Sequence, residues 1–292
     1  MLEDTRPTDR MSRMQAVRAV PRQKRPKRWN WLVFASLFIA AYFLAPLRTN
    51  ILLLGTDASP ERGGTGRTDT IILTTIVPLQ PYVGMLSIPR DLWVPIPGVG
   101  EQRINTAYFF AEADQPGAGS EAALETIRQN FNVPVRYYAL IRMTELIFLV
   151  DALGGVDVEL AAPQGGLPAG THHLNGLQAL AFARDRSMGD DFGRMAGTQV
   201  LLTAVIKKII QPASWSKLPE ILPPLFRAVE TNLPAWQYPR LGFAMLRALL
   251  TGLDNRSITR EMVIPFQTSQ GAQVLAPNWE AIRPLIREMF GR

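Results

Sequence analysis

Asn50-Ile-Leu-Leu-Leu-Gly-Thr-Asp57, then Arg67-Thr-Asp69 opening the apolar run Thr70–Val77, then Val83–Ile88 closing on Pro89-Arg90-Asp91: this stretch decides the fold. The three runs are rich in Ile, Leu, Val and Thr. The short segment Pro78–Tyr82 between the second and third predicts a β-hairpin. In an antiparallel hairpin the start of one strand lies beside the end of the other, which places Arg67 and Asp69 near Arg90 and Asp91. A first strand joining the same sheet with its carboxyl end on that edge brings Asp57 there too. Three carboxylates and two guanidiniums on one rim suit a metal ion held together with a polyphosphate.

The 292 residues, 47% hydrophobic and 19% charged, have ordinary globular composition. The absence of cysteine excludes disulfides, Cys-ligated zinc and thiol nucleophiles. The pI near 9.9 invites a nucleic-acid reading, but the charge is badly placed for one. Residues 1–31 carry nine Lys/Arg and three Asp/Glu, a net of +6, and the whole chain is also +6. Everything after Trp31 is therefore net neutral, and no domain-wide footprint for DNA or RNA remains. Within residues 32–292, Arg outnumbers Lys nineteen to three, a bias that fits phosphate binding and codon usage equally well.

Residues 1–28 are polar, basic and aperiodic, as expected of a cytoplasmic tail. Residues 29–47 are nearly all apolar and uncharged. The run Trp31–Leu47 spans about 26 Å as a helix, at the short end for a bilayer. Trp29, Trp31 and Tyr42 suit interfaces, and basic residues precede the run whereas Arg48 alone follows closely. The expectation is a single-pass membrane anchor with a cytoplasmic amino terminus and residues 48–292 outside the cell. A cleaved signal peptide is the rival reading.

Beyond the hairpin, helices are predicted over 105–112, 120–130 with Ser120 as N-cap, 144–153, 176–184, 192–210, 219–230, 239–250 and 279–290. Strands are predicted over 137–142, 156–160, 257–265 and 273–275, with 161–171 as a Pro/Gly loop. The expected fold is a single α/β domain, with a mixed central sheet flanked by helices on both faces.

Read alone, Asp57 is a turn residue; paired with Asp69 across the rim it becomes a candidate Mg²⁺ ligand, since that ion is held by one or two carboxylates plus phosphate oxygens and waters. Arg67 and Arg90 read either as structural ion-pair partners or as phosphate binders. Asn105 either caps a helix or touches ligand. Arg184 suits a helix carboxyl end, and Asp191 a helix amino end. His172 and His173, the two histidines, sit in a Pro/Gly loop and are poor catalytic candidates. No Gly-x-Ser-x-Gly, Walker lysine or His-Glu-x-x-His is present.

The ordered motifs Gly55-Thr-Asp57, Arg67-Thr-Asp69, Ser87-Ile-Pro-Arg-Asp91, Arg103-Ile-Asn-Thr-Ala-Tyr108, Leu149–Asp157, Leu174–Arg184 and Asp191-Phe-Gly-Arg194 resemble those of LytR-CpsA-Psr proteins, membrane-anchored cell-wall ligases of bacteria. The resemblance implies a phosphotransferase that moves a glycopolymer from an undecaprenyl-pyrophosphate carrier to a muramic-acid hydroxyl of peptidoglycan. It tilts Arg184, Arg186, Asp191 and Arg194 towards the pyrophosphate and puts Arg103 at a basic position of the family; Arg67 and Arg90 on the rim join that set, with Asp57 and Asp69 as the Mg²⁺ ligands. Asp91 or Asp69, beside Arg90, is then the candidate base for the acceptor proton. Candidates for lipid contact are Tyr108, Phe109, Phe148, Leu149 and Leu180, which core packing explains as well. One departure stands out: the family usually continues Asp-Phe-x-Arg-x-x-Arg-Gln, where this chain has Gly197 and Thr198, with Gln199 one place late. Two alternatives use the same residues: a polyprenyl-pyrophosphate hydrolase, and a non-catalytic polyprenyl-phosphate binder.

Overall fold

A computed structural model describes residues 28–45, 47–56, 66–185 and 191–291. The chain divides into two compact units, Met1–Ala40 and Ala41–Arg292. The first unit's described part is most of helix α1 (Arg28–Leu44), whose large apolar side chains Trp31, Phe34, Leu37 and Phe38 are exposed. α1 has 17 residues, and among the described residues no helix is long and apolar enough to cross a membrane.

The second unit runs in the order β1 (Thr49–Thr56), β2 (Thr68–Val77), β3 (Tyr82–Ser87), β4 (Trp93–Ile96), β5 (Gly100–Arg103), α2 (Thr106–Asp114), α3 (Gly119–Phe131) and β6 (Tyr137–Arg142). It continues through α4 (Leu146–Ala152), β7 (Val156–Leu160), β8 (Gly170–Leu174), α5 (Gly176–Arg184), α6 (Asp191–Ile210), α7 (Leu218–Ala228) and β9 (Val229–Thr231). It closes with α8 (Tyr238–Thr251), β10 (Asp254–Ser257), β11 (Val263–Gln267), β12 (Gln273–Pro277) and α9 (Trp279–Phe290).

Six strands form one sheet in the order β10-β3-β2-β1-β6-β9. The pairs β1·β2, β2·β3 and β6·β9 are antiparallel, and β1·β6 and β10·β3 are parallel, so the sheet is mixed as expected. Alternation along the strands sorts side chains to two faces. Leu52 and Leu54 of β1, Ile71 and Leu73 of β2 and Leu86 of β3 share a core with Leu124 and Ile127 of α3 and Ile282 and Ile286 of α9. Ile51, Ile76 and Val83 point the other way, onto Leu241 and Ala244 of α8. A third core joins α4, α5, α6 and α7 to β7 and β8 through Val150, Val156, Phe182 and Leu201.

The structure corrects several local expectations. Residues 93–103, for which the sequence predicts no element, fold as the β4–β5 hairpin. The stretch 161–171 is not all loop, because β8 begins at Gly170 and pairs with β7. The span 257–265 is two strands, β10 and β11, separated by a 3₁₀ turn at Arg260–Met262. Ser120 lies inside α3, whose N-cap position is Ala118. Asn105 occupies the N-cap position of α2 but makes no side-chain cap bond.

Candidate active site

The hairpin register brings Asp69 of the expected rim to Arg90 and Asp91. β1 ends at Thr56 opposite Thr68, the first residue of β2, with an irregularity between Gly55 and Thr56. Gly55 is required here: a Cβ would meet Thr70 Cβ at 2.8 Å and Met143 Cε at 3.1 Å. β3 ends at Ser87 opposite Ile72, and the Ile88 N–H donates to the Ile71 carbonyl at 2.9 Å. The next turn therefore holds Arg90 and Asp91 over the start of β2, beside Asp69.

Three other elements add to this rim. Arg90 Nη1 donates to Asp69 Oδ1 at 2.7 Å, and Arg90 Nε lies 2.9 Å from Asp191 Oδ2 and 3.6 Å from Asp91 Oδ2. Arg194 Nη2 donates to Asp191 Oδ1 at 2.8 Å, while its Nη1 sits 3.8 Å from Asp69 Oδ2. Arg103, at the end of β5, has Nε 3.1 Å from Asp91 Oδ1, and its Nη2 donates to the Gln273 carbonyl at 2.9 Å. The Nε groups of Arg90 and Arg103 are buried and lack a well-directed acceptor, so these two contacts are ion pairs rather than aligned hydrogen bonds. Six predicted residues are thus one network, in which three aspartates and three arginines balance among the described residues.

Burial shapes its electrostatics. Desolvation raises the pKa of Asp191 and outweighs the Arg194 and Arg90 charges that lower it. Burial alone would lower that of Arg90, but the hydrogen bond to Asp69 and the charges of Asp191, Asp69 and Asp91 prevail and raise it. Asn105 is buried beside the rim: its N–H donates to the Arg90 carbonyl at 3.3 Å, its carbonyl accepts from Thr68, and its Oδ1 has no hydrogen-bond partner among the described residues.

Other expectations fall differently. The Arg67 guanidinium lies 5.7 Å from the centre of the Phe109 ring, turned onto an aromatic face. Arg184 is exposed at the last residue of α5. Asp57 and Arg186 lie outside the described residues. Of the suggested lipid contacts, Tyr108, Leu149 and Leu180 are core residues, as packing alone explains, and Phe148 is exposed. An apolar cavity of about 30 Å³ lies between α6 and the β1–β6 pair, lined by Leu53, Ile141, Met143, Leu146, Leu201 and Val205 together with Thr198. Sequence alternation hid it, because its walls look like ordinary core.

The family departure also has a structural counterpart. Gln199 is buried, and its Nε2 donates to the carbonyls of Met85 (3.1 Å) and Arg256 (3.2 Å), tying β3 to β10. It serves the sheet, not the rim. Gly197 faces Gln164, whose Nε2 donates to the Gly193 carbonyl at 3.2 Å. Nothing local in the sequence marked Gln164.

As to a metal, no group of three or more His, Cys, Asp or Glu capable of holding an ion occurs among the described residues. Asp69 is chemically suited to be a donor: Oδ1 accepts from Arg90 at 2.7 Å, while Oδ2 lies 3.8 Å from Arg194 Nη1. One carboxylate plus ligand oxygens fits the way Mg²⁺ is bound.

A sequence model of the LytR_cpsA_psr family matches residues 45–281. The polyisoprenyl-teichoic acid–peptidoglycan teichoic acid transferase TagU of Oceanobacillus iheyensis is 39% identical over 252 residues, 83% of this chain and 75% of that protein. TagU of Bacillus mycoides is 37% identical over 192 residues, covering 63% of this chain and 60% of its own length. The chain thus spans less than two thirds of some of the curated relatives it matches. The crystal structure of B. subtilis TagV superposes with a TM-score of 0.66 at 25% identity, over 84% of this chain and 98% of that one. On the match of 45–281 and the TagU identity together, the chain belongs to the LytR_cpsA_psr family.

Proposed function

We propose that the protein is a membrane-anchored phosphotransferase that moves a glycopolymer from an undecaprenyl-pyrophosphate carrier to peptidoglycan. The carrying observation is the Asp69–Arg90–Asp191–Arg194 network at the rim of the sheet, one helical turn from the apolar cavity bordered by Thr198. A charged grip beside an apolar cavity suits a ligand with a diphosphate head and a hydrocarbon tail, and the cavity, about 30 Å³ here, would have to widen between α6 and the sheet to take that tail.

The aspartates already balance the arginines, so a pyrophosphate arriving at this rim needs further positive charge. Arg67 and Arg184, with Arg186 from outside the described residues, are the protein's candidates. Asp69, with Asp57 as a second ligand, would hold Mg²⁺, which when bound would supply charge neutralisation on the diphosphate oxygens. Arg90 and Arg194 then stabilise charge on the transferring phosphoryl group and on the departing lipid phosphate. Asp91, oriented by Arg103, accepts the proton as the muramic-acid hydroxyl oxygen bonds to the glycan-linked phosphorus. The bond from that phosphorus to the bridging oxygen breaks, and undecaprenyl phosphate leaves with that oxygen.

Residues 29–47 anchor the chain, with the amino terminus cytoplasmic and 48–292 outside. The support is the exposed apolar surface of α1 and the basic residues before it. The relatives named as teichoic acid transferases support the reaction class. The test combines full-length protein, lipid-linked glycan, Mg²⁺ and uncross-linked glycan strands. Peptidoglycan-attached polymer with stoichiometric undecaprenyl phosphate is expected. Free phosphorylated glycan without attachment points to the hydrolase instead, and bound lipid without turnover to the non-catalytic binder.

A further inference from the structure

The segment after α6 has no part in the transfer chemistry, yet it carries an unusual surface. Trp215, Leu218, Leu222 and Phe226 are all exposed, Phe226 at 65%. Leu218, Leu222 and Phe226 recur every fourth residue and form one stripe along α7. Exposed Pro219 and Pro223 widen it, while Ile221 and Ala228 turn into the body. Pro223 and Pro224 lie inside the helix. Proline has no N–H, so the carbonyls of Pro219 and Glu220 lose their helical donors and need water or another polar donor. Such a helix suits a wet boundary better than a dry protein core.

Charge identifies the occupant. Residues 32–292 contain three lysines, and all three, Lys207, Lys208 and Lys217, fall between the last turn of α6 and the start of α7. Arg227 closes α7. Lys208 is paired with Asp157 at 3.3 Å, whereas Lys207 and Lys217 are exposed. Glu220, the acid on α7, lies about 200° round the helix from Leu218, away from the stripe. Aromatic and aliphatic residues on one face with lysines at the margin are the features of a helix lying in the plane of a lipid surface. The order along α6 agrees: Arg194 at the rim, Leu201 and Val205 on the cavity, then Lys207 and Lys208.

We propose that α7 docks into the headgroup region of an anionic bilayer, with Trp215, Leu218, Leu222 and Phe226 inserted and Lys207 and Lys217 facing lipid phosphates. The docking stands apart from the transfer reaction and is tested without it. Because the chain has no cysteine, a single introduced one reports its own surroundings. Leu222→Cys and Phe226→Cys, with Val99→Cys on the exposed β4–β5 turn as control, are labelled with a fluorophore. The full-length protein is reconstituted in vesicles of phosphatidylcholine, with or without phosphatidylglycerol, that carry a nitroxide-lipid quencher.

The expected result is strong quenching at 222 and 226, little at 99, and more with phosphatidylglycerol. Lys207→Glu with Lys217→Glu should reduce the docked population about tenfold or more. Equal quenching at 222, 226 and 99 overturns the docking, and equal quenching in both vesicle types overturns the anionic preference. Label-to-label contact at 222 that grows with protein density, without lipid quenching, makes a second copy the occupant and also overturns the proposal. Transfer assayed in parallel on the same variants keeps a failure here distinct from a failure of the reaction.

Discussion

Two acid–base clusters can be compared within this fold. At the sheet rim, Asp69, Asp91 and Asp191 interlock with Arg90, Arg103 and Arg194, and Arg194 is 9% exposed. On the β7–β8 hairpin, Asp157 receives His173 at 2.7 Å and Lys208 at 3.3 Å, with both His173 and Asp157 more than half exposed. The distances are alike and the consequences differ. Water screens the second cluster and supports each group if a partner leaves. The first is assembled from several elements and half-sheltered, so each group depends on its partners. Hydrogen-bond length alone does not mark a functional site; burial and convergence do.

The comparison breaks most easily at Arg90. Arg90→Ala leaves three aspartates facing each other, and turnover should fall about 10²-fold or more, as for loss of a transition-state cation. The parallel change Asp157→Asn should leave turnover unaltered. A rate for Arg90→Ala within twofold of wild type would erase the distinction. Arg194→Lys is the sharper probe. A lysine retains the charge but not the fork that reaches Asp69 and Asp191 together, so a loss of about tenfold is expected in the same assay.

Smaller effects test the surroundings. A Cβ at position 197 meets Gln164 Nε2 at 3.5 Å and Phe182 Cε1 at 3.7 Å, ordinary contacts. Gly197→Ala should therefore stabilise α6 by about 0.5–1 kcal/mol, read from denaturant unfolding.

The pH dependence of the two clusters should have opposite sign. Burial raises the pKa of Asp191, so its contribution to stability is full below the unfolded carboxylate pKa and declines as pH rises through the folded one. The hydrogen bond from His173, helped by Lys208, holds Asp157 below the usual carboxylate range against desolvation. Its contribution is present above the unfolded pKa and is lost as pH falls through the folded one. Thermal melts across the acid range should show Asp191→Asn gaining on wild type as pH rises, and Asp157→Asn losing ground. Slopes of the same sign would contradict the assignment.

The central strands were legible because each is a short apolar run bounded by turn chemistry, and hairpin geometry alone then placed Asp69 beside Arg90. Asp191 and Arg194 were legible because three residues along a helix share a face. The β4–β5 hairpin was not, since Pro95 and the glycines around 98–100 look like loop. Nor was β8, whose His172 and His173 give no strand alternation. Arg67 shows a different limit: position along a strand fixes the backbone, but the stacking on Phe109 depends on a helix distant in sequence. The role of Gln199 was hidden for the same reason, because its partners Met85 and Arg256 meet only in the folded sheet.

The central claim is that the rim grips a diphosphate head beside a slot for its lipid tail. Native mass spectrometry of full-length protein extracted in mild detergent tests it most directly, comparing wild type with the Arg90→Ala, Arg194→Ala double variant. Wild type should carry a polyprenyl phosphate or pyrophosphate, and the folded double variant should carry none. Equal lipid occupancy in both would contradict the claim.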